Sequence, residues 1–348
     1  MEEITMSMLR KDPLSGGWVI IATERGKRPS DFGSVGAQTK GGFCPFCEGH
    51  ETLTPPEIIA FRGSNTAPNS PGWRVRTIPN KFAALRIEGD LDRQGEGIYD
   101  KMNGIGAHEV IIETTDHMGD MSSYPLNHLS ELIKMFKERS ADLENDERFR
   151  YIQIFRNHGA TAGASMEHPH SQLIALPIIP RWVKEELTSS LNHWELKERC
   201  LFCDIKNQEI ATQKRVVYEN NGFLVFEPFA AKFPFETWII PKRHNSDFKT
   251  ISDQDIHLFS EALQKALLAL YKSLSDPPYN LIIHSAPIIR KNDGEKFKGI
   301  KDDFHWHVEI IPRLTKVAGF EWGTGFYINP TPPEEAAQYL REVINTSK

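Results

Sequence analysis

No apolar run in the 348-residue sequence approaches the ~18 residues that a membrane-spanning helix needs. The opening segment, "MEEITMSMLRKDP", lacks the basic start and apolar core of a secretion signal, so a cytoplasmic protein is the expectation. Basic residues are dispersed, and no Lys/Arg run of the kind that tracks a phosphate backbone is present. With a formal net charge of −6, nucleic acid is not the expected partner. A small anionic substrate is compatible with that charge, because a few arginines bind one phosphate whatever the total. Missing too are the Gly-rich nucleotide motifs of the Rossmann and P-loop types.

Cysteine is scarce but ordered. All 4 residues fall in two pairs, "CPFC" (Cys44, Cys47) and "CLFC" (Cys200, Cys203). A single C-x-x-C is compatible with a redox pair, a disulfide or incidental core residues. Two copies, each with histidines downstream, point instead to tetrahedral zinc. A thioredoxin-like pair would also need its own βαβ context, which is absent.

The remaining composition, 39% apolar and 25% charged, is that of a globular protein long enough for two domains or one domain duplicated. The pattern favours duplication. After the first C-x-x-C comes "HEVIIETTDH" (108–117), read as a strand ending at His117. A helical stretch follows, with Leu129, Leu132, Ile133, Phe136 and Leu143 on one face. Then come the strand "YIQIFRNHG" (151–159), a Gly/Ala-rich connection and the strand "HPHSQLIALP" (168–177). The second half repeats this order with "ETWIIPKRH" (236–244), a helix carrying Ile256, Phe259, Leu263, Leu267 and Leu270, then "YNLIIHSAP" and "HWHVEIIP". The lengths differ, so this is a degenerate duplication and no short-period array. Segment 178–200 reads as a largely helical connector, and the tail 330–344 as a capping helix entered through prolines. We expect an α+β fold in two halves, 1–178 and 179–348, each an antiparallel sheet with helices on one face.

Each half supplies four ligands of the kind a structural zinc takes: Cys44, Cys47, His117 and His168, then Cys200, Cys203, His244 and His305. The alternative for His117 and His244 is that they merely end strands at the surface; their matched positions favour ligation. His50, His108, His158 and His284 are read as structural or supporting. In each H-x-H the second histidine, His170 or His307, is left over. If His168 is tied to a metal, His170 is held rigidly, as a nucleophile must be. A neutral imidazole attacks phosphorus without an auxiliary base, which suits a two-step nucleotidyl transfer. The "NHGATAGAS" stretch (157–165) brings backbone N–H groups toward phosphate oxygens, and Ser165 and Gln172 add neutral donors.

These residues carry a resemblance. The chain resembles the galactose-1-phosphate uridylyltransferases of the histidine-triad superfamily over essentially its whole length. The shared motifs are "DPLSGGWVIIATERGKRP", "FCPFCEG", "PNKFAAL", the Gly/Ala loop with "HPHSQ", "HWHVEIIP" and "GFEWGTGFYIN". The resemblance implies a duplicated histidine-triad-like fold, a homodimer, and ping-pong exchange of UMP between UDP-glucose and galactose 1-phosphate. By its implication His170 is the nucleotidyl-carrying nucleophile and Gln172 holds the phosphoryl oxygens. It also implies that Arg25 and Arg28 contact the nucleotide sugar, while Asn80, Asn157, Gly163 and Ser165 line the nucleotide and its phosphates. Glu321, after Phe320, binds sugar hydroxyls, and Cys44, Cys47, His117 and His168 are the zinc ligands.

Two departures stand out. Some family members hold a second metal with a glutamate and three histidines, where this chain has its second C-x-x-C. That brings it nearer to members with two zinc sites, which include an ADP-sugar phosphorylase, and makes the second site structural. Lys81 stands near the base where some relatives have an acidic residue. The readings left open are a hexose-1-phosphate uridylyltransferase, an ADP-sugar phosphorylase, a nucleotidyl hydrolase and a zinc-stabilised nucleic-acid-binding protein. The charge balance weighs against the last, and the Glu321 motif against the hydrolase.

Overall fold

The computed structural model describes residues 7–22, 28–32 and 42–346. The chain starts with a hairpin of β1 (Met8–Lys11) and β2 (Trp18–Ile21). Its turn is closed by Asp12, whose Oδ1 accepts the Leu14 N–H at 3.0 Å, and by Gly16 at φ +68°, a conformation glycine adopts without strain. The first half continues with β3 (Ile59–Arg62), β4 (Trp73–Pro79), the ribbon β5 (Gln94–Glu96) and β6 (Tyr99–Lys101), and β7 (Ala107–Ile112). Helix α1 (Leu126–Leu143), β8 (Tyr151–His158) and β9 (His170–Leu176) complete it. The connector is helical, as α2 (Arg181–Lys197) and α3 (Leu201–Thr212). The second half then runs β10 (Val216–Glu219), β11 (Phe223–Phe226), β12 (Thr237–Pro241), α4 (Asp253–Leu274), β13 (Tyr279–His284), α5 (Ile300–Asp303) and β14 (His307–Pro312). It ends with α6 (Gly319–Thr324), β15 (Tyr327–Asn329) and α7 (Pro333–Thr346).

The expectation of one sheet per half is corrected. Ten strands form one sheet in the order β10-β11-β12-β14-β13-β8-β9-β7-β4-β3. Both halves contribute five strands in the same spatial order, and they join where β8 and β13 pair antiparallel, Asn157 opposite Asn280. An unpaired inner edge would expose a row of backbone N–H and C=O groups, and joining satisfies both edges at once. A smaller sheet, β1-β2-β15, ties the N-terminal hairpin to the end of the chain.

Helices α1, α4 and α7 cover one face of the large sheet. The apolar stripes foreseen on α1 and α4 are buried there, together with Ala262, Ala266 and Ala269, whose small side chains permit close helix approach. Ser130 and Ser260 hydroxyls meet across α1 and α4 at 2.9 Å. Helix α4 starts at Ser252, whose side chain accepts the Asp255 N–H. The histidines of the two candidate metal sets do not end strands as foreseen: His117 and His244 lie in the loops after β7 and β12. His168 and His305 immediately precede β9 and β14. Ligation needs side chains to converge from several directions, which loops allow and a flat strand does not. Among the described residues, no helix is long and apolar enough to cross a membrane.

Candidate active site and metal centres

Strand β9 carries the chemistry on alternate residues. Ser171 points to the helix side, where its hydroxyl donates to Glu113 Oε1 at 2.7 Å. Glu113, fully buried, also accepts from Arg156 Nε at 2.9 Å and from the Tyr124 hydroxyl at 3.2 Å. Arg156 bonds the Tyr279 hydroxyl in turn. This buried network braces β9 from beneath, and because each charge is paired, its burial is tolerated.

His170 and Gln172 project from the other face. The His170 Nδ1–H donates to the carbonyl of His168 at 2.8 Å, which leaves Nε2 as the lone-pair nitrogen. Burial pushes the His170 pKa below the ordinary histidine value, which favours the neutral ring. Phe46, from the first C-x-x-C, packs edge-on with ring centroids 5.6 Å apart. His170 lines a cavity of about 470 Å³ with Asn157, Ser165 and the Gly/Ala loop. A larger cavity of about 580 Å³, between the β5–β6 ribbon and Arg150, has no histidine, cysteine or serine in its lining.

The loop before β9 is set by Gly159 (φ +79°) and Gly163 (φ +90°), which flank a single 3₁₀ turn. Asn280, from β13, donates through Nδ2 to Asn157 Oδ1 and to the Ala162 carbonyl, both at 2.8 Å. The second half thus holds the phosphate-loop candidate of the first, and Asn157 keeps its N–H₂ for another acceptor. Asn280 carried no signal in the sequence, because only the β8–β13 pairing brings it there.

The first metal set converges as foreseen. Cys44, Cys47, His117 and His168 bring their ligand atoms within 4.8 Å of one another. Cys47 Sγ lies 3.4 Å from His117 Nδ1 and 3.6 Å from His168 Nδ1, and Cys44 Sγ lies 3.7 Å from His168 Nδ1. Bonds of about 2.3 Å to sulfur and 2.0 Å to nitrogen, at a tetrahedral angle, put S and N about 3.5 Å apart. The His168 Nε2–H donates to the Thr114 carbonyl at 2.8 Å, fixing the tautomer that turns the Nδ1 lone pair to the thiols.

The second set, Cys200, Cys203, His244 and His305, converges likewise. Cys203 Sγ lies 3.4 Å from His244 Nδ1 and 3.5 Å from His305 Nδ1, and His244 Nε2–H donates to Lys301 O at 2.8 Å. Both clusters can hold a metal. A further buried group, Glu186, His284, His307 and Glu309, also brings its ligand atoms together.

Other candidates scatter. Asn80 sits at the end of β4, its N–H bonded to the His108 carbonyl at 2.8 Å, and Lys81 is exposed in the turn beyond. Gly163 lies beside Asn157. Arg28 is exposed at a short 3₁₀ turn, bonded through its backbone to Asp31. Phe320 and Glu321 lie on α6, Glu321 capping that helix through the Ala318 N–H at 3.0 Å. None of Arg28, Asn80, Lys81, Gly163, Gln172, Phe320 and Glu321 lines the cavity with His170, although Gln172 shares its strand face. Arg25 falls outside the described residues.

Residues 185–344 match the model of the galactose-1-phosphate uridyl transferase C-terminal domain, and residues 97–179 match that of the N-terminal domain of a domain of unknown function, DUF4931. An ADP-glucose phosphorylase of Arabidopsis thaliana is 37% identical over 97% of this chain and 93% of its own length. A galactose-1-phosphate uridylyltransferase of Thermotoga maritima is 32% identical over 97% and 98%. Among solved structures, the A. thaliana ADP-glucose phosphorylase with bound ADP-glucose superposes with a TM-score of 0.80 at 34% identity, covering 97% of this chain and 99% of that one. By this full-length likeness the chain belongs to the galactose-1-phosphate uridylyltransferase family.

Proposed function

We propose that the chain moves a nucleoside monophosphate from a nucleotide sugar to a phosphate acceptor through His170. The donor and acceptor we assign are UDP-glucose and galactose 1-phosphate. The observation that carries this reading is the geometry of His170: fixed by its Nδ1 bond to His168, with Nε2 left unused and the ring lining a cavity. In the first step Nε2 attacks the α-phosphorus. An N–P bond forms, the P–O bond to the sugar phosphate breaks, and the electron pair leaves with glucose 1-phosphate. In the second step a phosphate oxygen of galactose 1-phosphate attacks the same phosphorus and releases His170. Gln172, Ser165 and the Asn157 amide donate to the non-bridging oxygens, where charge builds as phosphorus becomes five-coordinate.

The metal we assign to both C-x-x-C sets is zinc, on the donor set and spacing. It serves structure, tying His168 and with it the start of β9. Arg28 and Phe320 are exposed, Glu321 is half-buried, and all three lie off the cavity. In the homodimer we propose, a second subunit is available to bring such groups to the sugar end.

The likeness to ADP-glucose phosphorylase and the second C-x-x-C favour a second reading, in which ADP-glucose is the donor and inorganic phosphate the acceptor. Labelled donors decide between them. Acid-labile label on His170 from UDP-glucose but not ADP-glucose, released by galactose 1-phosphate, is the expected result. Label from ADP-glucose alone, released by inorganic phosphate, establishes the second reading instead.

A further inference from the structure

Gln172 acts on phosphate only if its amide is the right way round, with N–H₂ rather than oxygen facing the anion. A primary amide turns easily, so something must hold it. The neighbours of Gln172 supply one hydrogen bond that does so. His108 Nε2 lies 2.8 Å from Gln172 Oε1. On paired strands, Val110 stands opposite Gln172 and His108 opposite Ile174, so His108 reaches Gln172 along the diagonal of one face.

The direction of that bond is set elsewhere. The backbone N–H of Ala84 donates to His108 Nδ1 at 3.1 Å. A backbone N–H can only donate, so Nδ1 is an acceptor, and the one proton of the neutral ring sits on Nε2. Nε2–H therefore donates to Gln172, and the atom facing it must be the amide oxygen. The N–H₂ of Gln172 is thereby left for the strand face it shares with His170. The Asn80 amide nitrogen also stands 3.1 Å from His108 Nε2. Asn80 Oδ1 already accepts the Phe82 N–H at 2.9 Å, so its nitrogen meets the ring donor to donor and does not compete for Gln172. The 80–84 loop thus fixes the ring from both sides: the Asn80 N–H bonds the His108 carbonyl, and Ala84 sets the tautomer.

We propose that His108 is a positioning residue for nucleotidyl transfer, setting the Gln172 amide with its N–H₂ toward phosphate. This inference rests on the proposed transfer through His170, and gives a specific role to a histidine whose sequence position marked it as structural or supporting. Two substitutions divide its two bonds. In His108→Asn the shorter side chain retains an acceptor for Ala84 but does not reach Gln172. In His108→Gln the longer amide places an N–H₂ where Nε2–H was.

The test is single-turnover labelling of the metal-loaded protein, using whichever of labelled UDP-glucose or ADP-glucose labels the wild type. His170→Ala serves as the zero. Gln172→Ala is expected to slow labelling by about 10²-fold or more, the usual loss of one transition-state donor. His108→Asn should slow it by about 10²-fold, as a misplaced group does, with half-saturating donor concentration little changed. His108→Gln should recover most of that loss. In the Gln172→Ala background, His108→Asn should add no more than about 2-fold, because the group it positions is gone. Multiplying losses, or a His108→Asn variant labelled at the wild-type rate, would overturn the inference while leaving the His170 reading in place. No His170-dependent label in the wild type would overturn both. If His108→Asn fails to fold, NMR of the ¹⁵N-histidine-labelled wild type gives the tautomer directly. Proton on Nε2 is required, and proton on Nδ1 overturns the inference.

Discussion

The two H-x-H motifs share a frame and differ in everything around it. In both, the second histidine donates from Nδ1 to the carbonyl two residues back, His170 to His168 at 2.8 Å and His307 to His305 at 3.2 Å. In both, the phenylalanine of the local C-x-x-C packs on that ring, Phe46 at 5.6 Å and Phe202 at 4.8 Å. But His170 opens on a cavity, whereas His307 is sealed, stacked between Trp238 at 5.1 Å and His284 at 4.6 Å. Strand register sets Glu309 where the first half has Gln172, since Trp238 stands opposite Glu309 as Val110 stands opposite Gln172. Two residues before Trp238, just ahead of β12, Glu236 stands where the first half has His108 two residues before Val110. Burial first, and the Glu309 charge second, push the Glu236 pKa up to about 7. An H-x-H histidine at the head of a strand is therefore not by itself the transfer site we propose. Space at Nε2 and neutral donors beside it complete the site, and carboxylates in those places would repel a phosphate.

The largest expected effect separates the two histidines. His170→Ala should lower transfer by at least about 10⁴-fold, as removal of a nucleophile does, with unchanged metal content and melting temperature. His307→Ala should leave turnover within a few-fold and lower the melting temperature instead. Equal losses of turnover in the two variants would break the comparison. The carboxylate swap comes next. Gln172→Glu should cost about 10²- to 10³-fold in transfer, by exchanging a donor for a repelling charge. Glu309→Gln should spare transfer but cost about 3–5 kcal/mol of stability in urea unfolding, because it removes a partner of the buried His284. The metal sites sharpen the same contrast. His168→Ala should release about one equivalent of metal and lower turnover with it, whereas Cys200→Ser should release one and lower melting temperature more than turnover. Metal analysis beside kinetics on both variants would show whether the division holds.

How much of this was readable beforehand follows from how local each signal is. The C-x-x-C pairs, the H-x-H motifs and the stripes on α1 and α4 repeat at short spacing, so the duplication and the convergence of both Cys/His clusters were legible. Setting "HPHSQ" against "HWHVE" already aligns Gln172 with Glu309, which is the charge difference discussed above. Asn280 and the Glu113–Arg156 network were not legible, and His108 was legible as structural or supporting but not as a partner of Gln172. They reach the site through strand pairings that join residues 43 to 123 positions apart, and nothing local marks them. The single ten-stranded sheet was missed for the same reason. It depends on the β8–β13 junction, which no periodicity within either half encodes.

The smallest effect is a pH dependence peculiar to the second half. Burial would lower the His284 pKa, but Glu186, with its carboxylate 3.0 Å from Nδ1, and Glu309 raise it to about 10. Free histidine titrates near 6.5, so this proton is held more tightly in the folded chain. Its stabilisation is complete below about pH 6.5 and is lost as pH rises through about 10, at no more than about 1.4 kcal/mol per pH unit. Burial would raise the Glu309 pKa, yet the His284 cation holds it well below the usual carboxylate range. That contribution is present above about pH 4.5 and is lost as pH falls through the lowered value. Urea midpoints across pH should therefore decline on both sides for the wild type. His284→Gln, less stable throughout, should lack the decline attributable to this proton between pH 6.5 and 10. Parallel wild-type and His284→Gln profiles over that range would mean that His284 is not held as a cation, and the contrast between the Gln172 amide beside His170 and the charged Glu309 beside His307 would lose its electrostatic half.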